Sequence, residues 1–157
     1  MAMTMTGEVI VPADRSKVWR MLNDVVVLKS CIPGCHALEK TSDTSFSAIA
    51  RIKIGPVSAS FKGKVRLFDI DPPNGYRING EGDGGFAGFA RGNAKVHLAD
   101  APSGTLLRYD VQADIDGKIA QMGSRLIDGI AKKMADQFFT NFATVVIERA
   151  VLYTEKL

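Results

Sequence analysis

Between Thr44 and Asp116 the sequence alternates polar and apolar residues with a period of two. This alternation is typical of antiparallel strands with one face in water and the other in a core. One set of positions carries cations: Arg51, Lys53, Lys62, Lys64, Arg66, Arg77, Arg91 and Lys95. The opposite set contains many small residues: Ala48, Ala50, Gly63, Gly80, Gly82, Ala90, Gly92 and Ala94.

The small residues of the inner face predict empty space. A sheet that packs tightly on a helix fills its inner face with large apolar side chains, because protein interiors are close-packed. We therefore expect a hollow between sheet and helix that holds an apolar molecule. The alternative is an ordinary core in which the helix collapses onto the sheet.

The N-terminal part of the chain predicts a strand and two short helices. Thr4–Val11 has the pattern of a strand, and Asp14 is a suitable N-cap for a helix over Arg15–Leu22. Val25–Ser30 is rich in β-branched residues, but its place before Pro33 favours a second short helix.

Six further strands are predicted, at 35–41, 44–55, 58–70, 75–83, 87–98 and 105–116. Gly, Pro, Asn, Asp and Ser separate them, and these residues favour turns. Because the connections are short, successive strands should pair antiparallel as a meander.

After Gly117 the period changes to that of a helix. Apolar residues recur every four positions: Met122, Leu126, Ile130, Met134, Phe138, Phe142 and Val146. This predicts one long amphipathic helix. The whole chain, residues 1–157, is then a single α+β domain, a curved seven-stranded antiparallel sheet wrapped around a C-terminal helix.

The predicted cavity lies where small strand residues face this helix. The residues expected to line it are Ala50, Phe61, Gly82, Phe86, Ala90, Met122, Leu126 and Ile130. The strand connections should also bring Val57, Phe86, Ile119 and Met122 together at one end. These four residues form either the mouth of the cavity or a plug that closes that end.

Composition excludes several functional classes. The chain is 46% hydrophobic and 24% charged, and it has no apolar run near the roughly 20 residues that cross a bilayer. The net charge of +3 is too small to indicate nucleic-acid binding. The two cysteines and the absence of a signal-peptide pattern predict a cytoplasmic protein, with peripheral contact at the inner membrane face as an extension.

Two motifs have better structural than functional interpretations. The glycines of 80–85 fit G-x-G-x-x-G, but a strand follows them, and Glu81 and Asp83 would repel phosphate. Cys31 and Cys35 lie beside His36 without an evident fourth ligand, so we predict buried structural cysteines and no metal site. No nucleophile–base pair is evident, and no catalytic residue is predicted.

The element order resembles the START-like (SRPBCC), or helix-grip, superfamily, to which the Bet v 1-like proteins belong. More narrowly, the motifs resemble those of CoxG, a family of carbon monoxide dehydrogenase subunits. They are Leu22-Asn23-Asp24, Cys31-Ile32-Pro33-Gly34-Cys35, Lys53-Ile54-Gly55-Pro56-Val57, Phe61-Lys62-Gly63, Gly80-Glu81-Gly82 with Gly84-Gly85-Phe86, and the segment 117–123.

This resemblance implies a non-enzymatic accessory protein of a molybdenum hydroxylase of the carbon monoxide dehydrogenase type. It also implies a lipid or quinone bound in the cavity, no covalent cofactor, and a role in membrane recruitment or electron transfer. Two alternatives remain open. One is a recruitment factor that acts through its basic outer surface, and the other is a small START-like cyclase or hydrolase using the inward-facing Tyr76 and Tyr109.

Overall fold

The computed structural model describes the backbone of residues 1–156 and the side chains of residues 1–149. The strands are β1 (Ala2–Val11), β2 (Cys35–Ser42), β3 (Ser45–Ile54), β4 (Val57–Asp71), β5 (Gly75–Asp83), β6 (Phe89–Ala101) and β7 (Gly104–Asp116). The α-helices are α1 (Arg15–Leu22), α2 (Val25–Cys31) and α3 (Ser124–Lys156). Two 3₁₀ turns occupy Gly85–Ala87 and Lys118–Met122.

All seven strands form one antiparallel sheet in the order β1-β7-β6-β5-β4-β3-β2. Helix α3 contacts both β1, at one edge, and β3, next to the other edge. A helix reaches both sides of a sheet only when the sheet curves around it. The predicted α+β fold is therefore confirmed, and the strand ends differ from the prediction by a few residues at most.

Aspartate caps fix the two short helices. The Asp14 carboxylate accepts a hydrogen bond from the Lys17 N–H at 2.8 Å. The Asp24 carboxylate accepts from Val26 at 2.9 Å and from Val27 at 3.3 Å. These bonds satisfy N–H groups that have no partner within the helix, so the β-branched segment after Asp24 is helical as predicted.

The long helix begins later than the sequence pattern indicated. Gly117 and Gly123 have φ angles of +85° and +94°, which L-residues with a side chain rarely adopt. The segment between them is a 3₁₀ turn, and α3 starts at Ser124. The prediction of a helix from Gly117 was wrong because two glycine bends interrupt the pattern before the helix axis is set.

Two apolar clusters join α3 to the sheet. The first core lies at the α1–α2 end and includes Val18, Val27, Leu98, Phe142 and Val146. The second core lies at the opposite end and includes Ile54, Phe61, Ile115, Ile119 and Ile127. Helix α3 is thus fixed to the sheet at two separate places along its length.

Phe142 is fully buried in the first core and lies parallel to Phe138, with ring centroids 6.0 Å apart. We expect Phe142→Ala to lower the free energy of unfolding by about 3–5 kcal/mol, because it removes a buried ring and leaves a cavity. Phe86, which is 91% exposed, is the matched control. Phe86→Ala should change stability by less than about 0.5 kcal/mol. Urea denaturation of both variants measures this, and equal losses would contradict the assignment of the core.

Candidate functional site

A cavity of about 350 Å³ lies beside the first core, whose residues form most of its wall. Its sheet wall contains Ile78, Ala94, Val96, Leu107 and Val111. Its helix wall contains Leu28 and Ile32, which come from or just after α2, and Ala135, Phe138 and Phe139 from α3. The expected hollow between sheet and helix is therefore present in this structure.

Helix α2 closes one side of the cavity and is attached to α3 by polar contacts. The Asn141 side-chain amide donates a hydrogen bond to the Cys31 carbonyl at 3.0 Å, at the C-terminal end of α2. At its N-terminal end, an Arg149 guanidinium nitrogen lies 3.5 Å from an Asp24 carboxylate oxygen. These two contacts hold the apolar side of α2 over the cavity.

Only two of the described lining residues, Tyr76 and Tyr109, carry a side-chain hydroxyl. Tyr76 is buried and meets Trp19 edge-on, with ring centroids 5.3 Å apart. Tyr109 stacks on Phe139 at 5.3 Å and covers Gly7, where an added Cβ would overlap the tyrosine hydroxyl. Gly7 thus makes room for the Tyr109 ring on the inner face.

Tyr76 is a weaker acid than an exposed tyrosine. Burial raises the pKa of Tyr76, and no hydrogen bond from a described residue offsets that effect. None of the described lining residues is charged. The cavity therefore offers an apolar wall that includes the Tyr76 side chain, and no described lining residue offers a counter-ion for a charged guest.

The eight residues predicted to line a cavity lie elsewhere. Four of them, Phe61, Ala90, Met122 and Ile130, belong to the second core or pack against it. Ala50 is half-buried opposite Phe61 in the sheet. Leu126 is 37% exposed and Phe86 is 91% exposed. None of the eight is among the lining residues of the cavity described here, so ligand contact at these positions stays a prediction.

The position of the Phe61 ring explains why the cavity does not reach Gly82, one of the predicted lining residues. The small residues do face inward, as predicted, and Gly63, Gly80 and Gly82 are half-buried. A Cβ at Gly82 would lie 3.9 Å from the Phe61 ring. A Cβ at Gly84 would lie only 2.5 Å from the same ring. The space left by the glycines at this end is thus occupied by an aromatic side chain from β4.

The predicted mouth is closed in this structure. Ile119 is 3% exposed in the second core, and Val57 and Met122 pack against it. These three residues therefore close this end of the molecule, which is the second of the two arrangements considered from the sequence. Phe86 lies outside the cluster, and its ring is 5.4 Å from the Lys118 ammonium nitrogen.

The outer face of the sheet carries both signs of charge. In the strand register Lys62 lies opposite Asp83, and Lys64 lies opposite Glu81. Arg91 likewise lies between Glu81 and Asp114. Neighbouring carboxylates thus offset many of the predicted cations. Arg51 and Lys53 differ, because they lie opposite Ser60 and Ser58.

The two cysteines are free thiols in this structure. Cys31 is buried, and burial raises the pKa of its thiol. Cys35 is only half-buried, and its thiol donates to the Ala37 carbonyl at 3.3 Å. Within residues 1–149 no group of three potential metal ligands comes together. Cys31 therefore has the environment expected of a structural cysteine.

The fold and cavity define a helix-grip protein, and sequence comparison identifies its family. Residues 7–147 match the model of CoxG, a family of carbon monoxide dehydrogenase subunits, and the chain belongs to this family. Its members are generally non-catalytic accessory proteins associated with carbon monoxide dehydrogenase. No curated protein matches the chain.

Solved structures share the fold over nearly the whole chain. A conserved protein from Geobacillus kaustophilus is 28% identical, with a TM-score of 0.88, covering 93% of this chain and 96% of that one. Ara h 8.0201 is 14% identical, with a TM-score of 0.66 and coverage of 94% and 99%. The Zhui aromatase/cyclase from Streptomyces sp. R1128 is 11% identical, with a TM-score of 0.67 and 96% coverage of both chains. The last two similarities show the fold alone.

Helix length and hydropathy bear on membrane association. Among the helices that the structure describes, none combines the length and apolar character needed to cross a bilayer.

The raised pKa of Tyr76 predicts a pH dependence of stability. Above about pH 10 the unfolded chain ionises this tyrosine while the folded protein keeps the proton, so stability should fall as pH rises. Tyr76→Phe removes this contribution. Thermal unfolding between neutral and strongly alkaline pH should therefore show a smaller alkaline loss for Tyr76→Phe than for the unsubstituted protein. Parallel curves for the two proteins would show that Tyr76 is not buried as described.

Proposed function

We propose that this protein is a non-enzymatic accessory protein that holds a quinone or similar neutral lipid for a molybdenum hydroxylase of the carbon monoxide dehydrogenase type. Membership of the CoxG family supports the association with the dehydrogenase. The apolar cavity between sheet and helices supports the binding of a guest and is the observation that carries the proposal.

The chemistry of the cavity favours a neutral guest. A fatty acid or phospholipid would bring a charged group into a space where no described lining residue supplies a counter-ion. Burying an unpaired charge is costly. A quinone carbonyl would instead accept a hydrogen bond from the Tyr76 hydroxyl. We therefore infer that the guest is neutral and carries a hydrogen-bond acceptor.

The size of the cavity indicates which part of the guest it holds. A volume of about 350 Å³ is near the lower end of the range for small-molecule sites. It suits a ring system and the first part of a tail, with the rest of a long isoprenoid chain outside. Each buried CH₂ group adds roughly 0.8 kcal/mol to binding.

Such a carrier would act at the cytoplasmic face of the membrane. It would take its guest from the bilayer and present it to the dehydrogenase, aiding membrane recruitment or electron transfer. The protein itself would need no covalent cofactor and no catalytic residue.

A recruitment factor that acts through its outer face is the second candidate. Arg51 and Lys53 favour it, because they face serines rather than carboxylates in the sheet. If recruitment occurs through the outer face, changing Arg51 and Lys53 to glutamate should abolish capture of the dehydrogenase. Ala94→Leu, which adds a larger side chain to the cavity wall, should then have no effect on capture.

Substitutions at two alanines on the inner face of β6 test where the guest binds. Ala94 lines the cavity, whereas Ala90 packs against the second core. We expect Ala94→Leu to raise the Kd for a short-chain ubiquinone analogue at least about tenfold, equivalent to 1.4 kcal/mol, because the added side chain occupies the cavity. Ala90→Leu should leave the Kd nearly unchanged.

Quenching of Trp19 fluorescence measures both affinities. Trp19 is the one tryptophan of the chain, and it contacts Tyr76 at the cavity wall. Circular dichroism checks that both variants are folded. A loss of affinity in Ala90→Leu alone would place the guest at the residues predicted from the sequence. No quenching of the unsubstituted protein by any quinone or neutral lipid would contradict the proposal.

The Tyr76 hydroxyl should discriminate between polar and apolar guests. Tyr76→Phe should weaken binding of a naphthoquinone by about 0.5–1.5 kcal/mol, the usual net contribution of one hydrogen bond. Binding of naphthalene, which lacks the carbonyl groups, should not change. Equal losses for both compounds would show that the ring, rather than the hydroxyl, makes the contact.

A further inference from the structure

We propose that the end of the molecule formed by the β3–β4 turn, the two 3₁₀ turns and the first turn of α3 docks onto an anionic membrane surface. We call this end the tip. The proposal rests on the membrane role given under Proposed function and identifies the surface that would perform it. It concerns the outer surface at the end of the second core, whereas the cavity is lined mainly by residues of the first core.

Phe86 is the central residue of the tip. Its side chain is 91% exposed, more than any other large apolar residue described. The turn that carries it is well defined, because the Asp83 carboxylate accepts from the Gly85 N–H and the Gly84 N–H donates to the Gly88 carbonyl, each at 2.8 Å. A fixed turn thus presents an aromatic ring to solvent.

The neighbouring segments place further exposed apolar residues near Phe86, so that the tip has a small apolar surface. A Cβ at Gly55 would lie 3.2 Å from Leu126, which is itself 37% exposed. A Cβ at Gly117 would lie 2.7 Å from the Gly88 Cα, so the two 3₁₀ turns are in contact. Pro56, between β3 and β4, is also exposed. Aromatic and aliphatic residues on adjoining loops are suited to the interfacial region of a bilayer.

The cation next to Phe86 favours an anionic surface. Lys53, Lys118 and Arg125 are exposed there, and the Lys118 ammonium nitrogen lies 5.4 Å from the Phe86 ring centroid. Each such cation contributes about 1 kcal/mol near an anionic bilayer.

Three exposed carboxylates, Asp83, Asp116 and Asp128, also lie at the tip, so the proposed attraction depends on the position of Lys118 beside Phe86 and not on a net positive charge. Asp83 is bonded to the Gly85 N–H, and Asp116 lies 3.8 Å from the N-terminal ammonium group. The exposed Asp128 lies one turn further along α3. Lys118, beside the exposed Phe86 ring, is the cation of the tip that is best placed to meet lipid headgroups.

The exposed apolar area is too small for a stable protein interface. Stable protein–protein interfaces bury roughly 1,200–2,000 Å² and need a continuous apolar centre. The tip offers one full ring and parts of a few other side chains. Shallow insertion into headgroups requires no more than this, because the neighbouring Lys118 supplies further attraction.

Vesicle co-sedimentation tests the proposal. The full chain should sediment with vesicles of phosphatidylcholine and phosphatidylglycerol but not with phosphatidylcholine alone. Lys118→Gln should reduce binding about fivefold, corresponding to the loss of about 1 kcal/mol. Phe86→Ser should also reduce binding several-fold.

Val26→Ser is the matched control. Val26 is 72% exposed on α2, at the opposite end of the molecule, and the same kind of substitution there should leave vesicle binding unchanged. The proposal is overturned if the unsubstituted protein does not sediment with anionic vesicles, or if Val26→Ser loses as much binding as Phe86→Ser.

Quinone titration of the same variants separates this proposal from the proposed function. Phe86→Ser and Lys118→Gln should bind a short-chain ubiquinone analogue normally, with unchanged Trp19 quenching. Normal quinone binding without vesicle binding refutes membrane docking by the tip and leaves the proposed carrier function standing. Vesicle binding that depends on Phe86, without quinone binding, supports the tip and refutes the carrier role.

Discussion

The separation between the two attachments of α3 to the sheet determines the rest of this structure. Ile127 is buried in the second core and Phe142 in the first. The helix residues that pack on the second core extend to Ala131, and those that pack on the first core begin at Phe138. Seven residues of α-helix span roughly 10 Å, at a rise of about 1.5 Å per residue. In and next to this interval, Ala135, Phe138 and Phe139 face a space that the sheet does not fill. Collapsing that space would require either core to give up its packing.

The apolar character of the cavity wall follows from the alternation of residues along the strands. Residues in the middle of the strands face inward with apolar side chains, while their neighbours carry the charges on the outer face. Tyr76 is part of this surface, and burial raises the pKa of its hydroxyl. The result is a cavity suited to an uncharged molecule, in a protein whose family is associated with carbon monoxide dehydrogenase. The second core separates this cavity from the tip, so a guest that entered from the tip would have to displace Ile119 and its neighbours.

The fold could be predicted almost completely from the sequence, whereas the position of the cavity could not. Alternation, turn residues and the four-residue repeat are local signals, and they identified each strand and helix and the inner face of the sheet. The start of α3 was missed because glycines at 117 and 123 adopt left-handed backbone angles that a hydrophobic pattern does not show. The cavity depends on where large side chains extend in three dimensions. Phe61 occupies the space beside Gly82 and Gly84, and no period in the sequence indicates the direction of that ring. A hollow is present between sheet and helix, but its wall is built from larger residues nearer α2 and includes only Ala94 of the small residues from which a hollow was predicted.

Methyl NMR of the protein during titration with a short-chain quinone tests the central claim most directly. The cavity account predicts that the methyl signals of Ala94, Val96 and Leu107 shift as the quinone is added. Those of Ile54, Ile115 and Ile127 in the second core should remain in place. Shifts confined to the second core or to the outer face, or no shifts at all, would contradict the claim that this cavity holds the guest.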